Sequence, residues 1–95
     1  MPRAPSPHTR LVLTALAASG PGWRHGYDLV RATGVRSGTL YPMLIRLEAQ
    51  GWLEAEWQAP TEPGRPPRHA YRLTAEGARV AAALAREGGD GLVTA

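Results

Sequence analysis

At Gly51 the hydrophobic period of this chain changes, and that change limits the folds open to it. Before it, Leu40, Met43, Leu44 and Leu47 recur at i, i+3, i+4 and i+7, one stripe of a helix from about Ser37 to Gln50. After it, Leu53, Ala55 and Trp57 alternate with Glu54, Glu56 and Gln58, the period-two pattern of a half-buried strand. The stretch from Ala59 to Pro67 is rich in proline and glycine and reads as a loop. Ala70 to Leu73 forms a second short strand, so the two strands make a hairpin with a long tip.

Helical signals surround this hinge. A first helix runs from about His8 to Ala18, with Ser6 as N-cap, Pro7 at its start, and Leu11, Leu13, Ala15 and Leu16 as its apolar face. Ser19-Gly20-Pro21-Gly22 stops it. A second, short helix spans about Gly26 to Ala32, anchored by Tyr27, Leu29 and Val30, with Asp28 near its positive end. Thr33-Gly34 closes it, and the third helix follows within a few residues, capped by Ser37 or Thr39. Pro42 is awkward there and fits only near the first turn or at a kink. Thr74 caps a fourth helix through about Arg86, with Val80, Ala81 and Leu84 on one face, and Gly88-Gly89-Asp90-Gly91 is expected to end it.

Residues 1–7 then read as a flexible N-terminal arm, 8–87 as one domain and 88–95 as a frayed tail. Three helices, a hairpin and a closing helix give a mainly α fold with a small β-hairpin, the winged helix-turn-helix topology.

Composition narrows the function classes. With no cysteine, disulfides, thiolate metal sites and a cysteine nucleophile are excluded together. His8, His25 and His69 show no metal-ligand spacing, no glycine-rich phosphate loop follows a strand, and nothing draws Ser, His and Asp together. The expectation is therefore no enzyme, no metal and no cofactor. No stretch approaches the roughly 18 apolar residues of a membrane span, and the first residues lack a signal-peptide pattern, so a cytoplasmic, membrane-free protein is expected. All 11 basic side chains are arginine against 8 acids, a formal charge of +3. That balance suits a polyanionic partner, although arginine usage also follows genomic base composition.

Gly34-Val35-Arg36-Ser37-Gly38-Thr39-Leu40-Tyr41-Pro42-Met43-Leu44 resembles the hallmark of the PadR transcriptional regulators, whose third helix carries a G-T-L-Y-P run. His25-Gly26-Tyr27-Asp28-Leu29, Arg46-Leu47-Glu48 with Gly51 and Leu53, and Tyr71-Arg72-Leu73-Thr74 with Gly77 agree in order and spacing, over roughly residues 10 to 85. The resemblance is to the compact, single-domain subgroup. It implies a homodimeric repressor binding double-stranded DNA, often released by a small-molecule effector, here expected to be aromatic if it exists. It also implies dimerisation through the last helix helped by the first, with Leu11, Leu13, Val80 and Leu84 as candidates. Ile45 and His69 depart from the pattern, because both places are commonly basic in the family.

The residues suggest where DNA contact would occur. The second helix of such a motif enters the major groove N-terminus first, which places Ser37, Gly38, Thr39, Tyr41 and Pro42 at the bases. Ser37 and Thr39 can bond phosphate or bases, or serve only as caps, and Tyr41 can contact DNA or pack. Gly38 permits close backbone approach. Arg46 either clamps a phosphate or pairs with Glu48 or a hairpin acid. Ile45 either meets a thymine methyl or is covered in the dimer. Arg65, then Arg68, on the proline-stiffened tip suit a minor groove, or wave in solvent. Trp23, Trp52 and Trp57 either stack a planar effector in a dimer pocket or, the favoured reading, pack in the core or interface, with Trp57 holding the sheet to the helices. The alternative reading is a winged-helix protein-interaction module.

Overall fold

The computed structural model describes residues 6–94, with side chains described through residue 87. The elements follow as α1 (Pro7–Ala18), β1 (Arg24–His25), α2 (Gly26–Thr33), α3 (Ser37–Ala49), β2 (Leu53–Gln58), β3 (Arg68–Leu73) and α4 (Ala75–Thr94). The strands form one antiparallel sheet in the order β1-β3-β2. This is a winged helix-turn-helix, with α2 and α3 as the motif and β2–β3 as the wing. The third strand was not expected: two residues are too short for a period to register, and β1 exists because Arg24 and His25 pair with Tyr71 and Ala70.

Local chemistry sets most of the ends. Ser6 Oγ accepts the Thr9 N–H at 3.2 Å, and Pro7 opens α1 where its missing N–H is harmless. The α1 boundary therefore lies at Pro7, inside the segment read as an arm; the rest of that reading, residues 1–5, lies outside the described residues. Asp28 accepts the His25 N–H at 3.3 Å at the head of α2. Gly34 ends α2 in the left-handed conformation (φ 75°). At the end of α3, Gly51 (φ 83°) closes a Schellman motif: Trp52 N–H reaches Leu47 C=O at 3.0 Å and Gly51 N–H reaches Glu48 C=O at 3.0 Å. This left-handed reversal is the physical basis of the period change. The helix is stopped, and the chain leaves it extended.

Two helix ends differ from expectation. The N-cap of α3 is Arg36, not Ser37 or Thr39. Val35 is buried, which pins the turn and makes the helix start at once behind it. The last helix does not end near Arg86 but continues to Thr94 through the glycine run. Glycine lowers helix stability by about 1 kcal/mol per residue but does not forbid the conformation.

The core joins Val12, Leu13 and Leu16 of α1, Leu29 of α2, Leu40, Met43, Leu44 and Leu47 of α3, Leu53 and Tyr71 of the sheet, and Ala81 and Leu84 of α4. The α3 stripe is buried as read. On α1, Val12 takes the inward position expected of Leu11, which is 46% exposed. Tyr27 is also exposed rather than an anchor. Trp57 does not hold the sheet to the helices: it is 68% exposed, because the buried part of its face ends at the Ala55–Tyr71 pair, two cross-strand rows short of it.

Candidate nucleic-acid interface

The outer face of α3 follows from its inner one. With Leu40, Met43, Leu44 and Leu47 buried, Ser37, Gly38, Thr39, Tyr41, Pro42, Ile45 and Arg46 are left exposed together. Thr39 and Leu40 give their N–H groups to Arg36 C=O at 3.0 and 2.8 Å. The N–H groups of Ser37 and Gly38, in the first turn, have no carbonyl behind them and point along the helix axis. Pro42 has no N–H to give, so Gly38 C=O loses its intrahelical donor, a loss that water can offset at this exposed position.

Tyr41 both packs and faces outward. Its ring lies against Gly26 at the start of α2, so closely that a Cβ there would run into the ring. Its outer edge stays open, at 38% exposure. Behind it stands Tyr71, whose hydroxyl pKa is raised by burial first, and further by Tyr41 and Glu48. Gly26→Ala should therefore swing the Tyr41 ring away while leaving the core intact. Duplex binding is expected to fall several-fold with little change in unfolding midpoint; equal binding by the variant would remove Tyr41 from the interface.

The arginines divide by place. Arg10, Arg72 and Arg79 each pair with a carboxylate, Glu87, Glu54 and Glu76, at 3.2, 2.7 and 3.0 Å. Arg24, Arg31, Arg36, Arg46, Arg68 and Arg86 have no carboxylate within 4.0 Å among the described residues. The first five lie on β1, α2, the head and flank of α3, and the wing, and Arg86 lies on α4. Arg46 thus forms none of the acid pairs open to it in the sequence. At the wing tip the order of Arg65 and Arg68 changes. Arg65 faces Glu62 at 3.4 Å, an exposed pair of small worth, whereas Arg68 carries its charge unshared.

Sequence reasoning missed Arg36, because placing the cap at Ser37 left it in the turn. It also missed Arg24 and Arg31, the latter 5.9 Å over the Tyr27 ring. His25 Nε2 donates to Gln58 Oε1 at 2.9 Å, tying the head of α2 to the wing and fixing their relative position.

Of the residues named for dimerisation, Leu11 is exposed and Val80 partly so, but Leu13 (0% exposed) and Leu84 (7%) belong to this chain's own core. A partner cannot reach them without opening the fold. Two apolar grooves flank α1. One of about 420 Å³ is lined by Ala17, Leu73, Ala78, Ala81 and Ala82, and one of about 490 Å³ by Pro7, Leu11, Thr14, Ala15 and Ala18. No tryptophan lines either groove. Trp23 instead lies under the Arg72 guanidinium at 4.3 Å. Among the described residues no group of three His, Asp or Glu side chains could hold a metal, and no helix is long and apolar enough to cross a membrane.

Comparison with known proteins gives a consistent neighbourhood. Residues 12–83 match the model of the transcriptional regulator PadR-like family. A PadR family transcriptional regulator from Eggerthella lenta is 34% identical, with 88% of this chain and 79% of that one aligned at a TM-score of 0.69. The Streptococcus mutans protein smu.1704 is 28% identical over 96% of this chain and 94% of its own, also at 0.69. NadR, solved in complex with 4-hydroxyphenylacetate, has the same fold at a TM-score of 0.75 and 22% identity; 94% of this chain covers 59% of that one. Among curated proteins none matches the sequence.

Proposed function

Since the chain belongs to the PadR-like family of transcriptional regulators, a family of regulators and not of enzymes, we propose that it is a sequence-specific DNA-binding repressor working as a homodimer on a pseudo-palindromic operator. The observation that carries this reading is the open charge on the helix-turn-helix. Arg24, Arg31, Arg36 and Arg46, on β1, α2 and α3, have no carboxylate partner among the described residues, and Arg68 of the wing has none either. A duplex lying across these arginines neutralises charges that the fold leaves open.

In this arrangement α3 enters the major groove with Ser37, Gly38, Thr39, Tyr41 and Pro42 leading. Arg36 and Arg46 hold phosphates beside it, and Arg65 and Arg68 reach the adjacent backbone or minor groove. Two-fold symmetry sets half-sites about one helical turn, ~34 Å, apart. Leu11 and Val80 supply the exposed apolar contacts of the dimer, and repression is steric exclusion of polymerase. The alanine-lined groove of about 420 Å³ beside α4 has the size and apolar lining for a small aromatic effector. The aromatic acid in the NadR crystal shows that a protein of this fold takes such a compound.

The test is a salt series with the duplex upstream of the protein's own gene and an unrelated duplex of equal length, with molecular mass measured alongside. Tight, selective binding by a dimer, falling steeply with salt, is the expected result. Arg68→Ala should weaken both duplexes about equally and lower the salt slope by roughly 1. Weak, salt-insensitive binding to both would instead favour a protein-interaction module working through exposed Ile45, 64% of whose surface is open.

A further inference from the structure

The order β1-β3-β2 puts His25 and Gln58 on the two outer strands, with β3 between them. Side chains of outer strands meet only by reaching over the central one, about 10 Å from strand to strand. The register shows how these two do so. His25, Ala70 and Glu56 form one cross-strand row, and the Gln58–Arg68 pair is the next rung outward on the same face. From there the His25 ring and the Gln58 amide meet diagonally, at 2.9 Å between Nε2 and Oε1. Ala70 has the smallest side chain on that face and is 0% exposed; a larger one would stand in the path.

Both partners are held in orientation. Gln58 Nε2 donates to Glu56 Oε2 at 3.2 Å, which turns the amide oxygen towards His25. An amide oxygen only accepts, so the network assigns the His25 proton on that side to Nε2. On the other side of the ring, Nδ1 lies 3.5 Å from Asp28 Oδ2, and the same carboxylate oxygen accepts the His25 N–H. Asp28, His25, Gln58 and Glu56 thus form one polar chain from the first turn of α2 to the end of β2. Among the described residues it contains the only side-chain hydrogen bond between the helix-turn-helix and the wing.

Its place on the hairpin gives this bond leverage. On the helix-facing side, burial ends at the Ala55–Tyr71 pair, and Gln58 with Arg68 is the last rung, three residues further out. A hairpin tilt of about 10° at that pair would carry the last rung about 2 Å, more than a hydrogen bond tolerates. Arg68, directly across from Gln58, has no carboxylate partner among the described residues. We propose that His25 and Gln58 are positioning residues for duplex binding, whose bond sets the angle of the wing so that Arg68 meets a phosphate while α3 lies in its groove. The proposal rests on the regulator reading above. It has an unusual signature: breaking a neutral bond should remove a charge contact made by another residue.

The experiment uses the full chain and the same two duplexes. Gln58→Met keeps the length and net charge of the side chain but removes the acceptor. It should weaken both duplexes several-fold and lower the salt slope by roughly 1, as Arg68→Ala does, although no charge has been removed. His25→Phe, which breaks the bond from its other end, should do the same. Gln58→Met combined with Arg68→Ala should bind no worse than Arg68→Ala alone, because the contact is lost only once. Urea midpoints of both single variants should stay close to the wild type, since neither partner belongs to the apolar core. Without DNA, nuclear magnetic resonance of the wild type should show a slowly exchanging His25 Nε2–H that is absent from Gln58→Met. An unchanged slope in both variants, or a loss that adds to that of Arg68→Ala, overturns the positioning role and leaves the regulator reading standing. Loss of the fold in both variants assigns the bond to stability and overturns it as well. A wild-type ring N–H that exchanges freely overturns the bond itself. Failure of the wild type to bind either duplex overturns both readings.

Discussion

Gly77→Ala should destabilise the fold by about 3 kcal/mol, the upper part of the range for forced overpacking. Alanine is ordinarily the better helix former, by about 1 kcal/mol, so helix propensity alone predicts the opposite sign. Position decides. Gly77 lies in the first turn of α4, directly against the main chain of Trp52, and a Cβ there would run into the Trp52 carbonyl oxygen. That oxygen accepts the Thr74 N–H at 3.0 Å, and no side-chain rotation can move it aside. The start of α4 would have to lift. The bonds from Thr74 Oγ1 to Gly51 C=O at 2.6 Å and from Gly77 N–H to Thr74 Oγ1 at 3.0 Å would then be strained together. A domain of this size has roughly 5 kcal/mol to lose, so the variant is expected to be partly unfolded at working temperature. Urea unfolding of the purified variant decides the matter. A midpoint at or above the wild type would show that α4 accommodates the methyl and that the close approach is not tight in solution.

Gly38→Ala should separate stability from function. A Cβ at Gly38 meets nothing within 4 Å, and its φ is not in the left-handed region, so alanine fits there without strain. The variant should be more stable by up to about 0.5 kcal/mol, less than the full helix-interior cost of glycine because Gly38 lies in the first turn. Duplex binding should nevertheless fall roughly 10- to 100-fold, the free-energy range of a base-reading contact. The added methyl projects from the first turn of α3, where main chain and DNA must come closest. Opposite signs in the two measurements are the signature of a residue kept small for its ligand and not for its fold. Equal binding with raised stability would remove Gly38 from the interface and move the DNA towards Tyr41 and Arg46.

Where an interaction is local, its residues announce it. Ser6 with Pro7, Gly34, Gly51 and Thr74 each mark a helix end through bonds that span a few residues, and each lies where its chemistry places it. The Leu40-Met43-Leu44-Leu47 stripe is equally legible. A helix with one such stripe must bury it, and its opposite face is then exposed by geometry. For the same reason the α3 half of the candidate interface could be named from sequence, from Ser37 to Arg46.

Other features depended on what else was nearby. Leu11 and Val12 are adjacent apolar residues, and only the packing of α2 and α4 against α1 decides which one points inward. The wing arginines look alike in sequence; Glu62 taking Arg65 and leaving Arg68 open is a matter of loop geometry. Trp57 continues a flawless alternation, yet it is exposed because the helices covering that face do not extend past Tyr71. What the sequence by itself determined, then, is the order of the four helices and the hairpin and how each is patterned, since those follow from short-range hydrogen bonding and side-chain period. The tertiary structure alone decided which patterned faces find a cover and which charges find a partner. Both depend on where distant elements stop, which no local run of residues encodes.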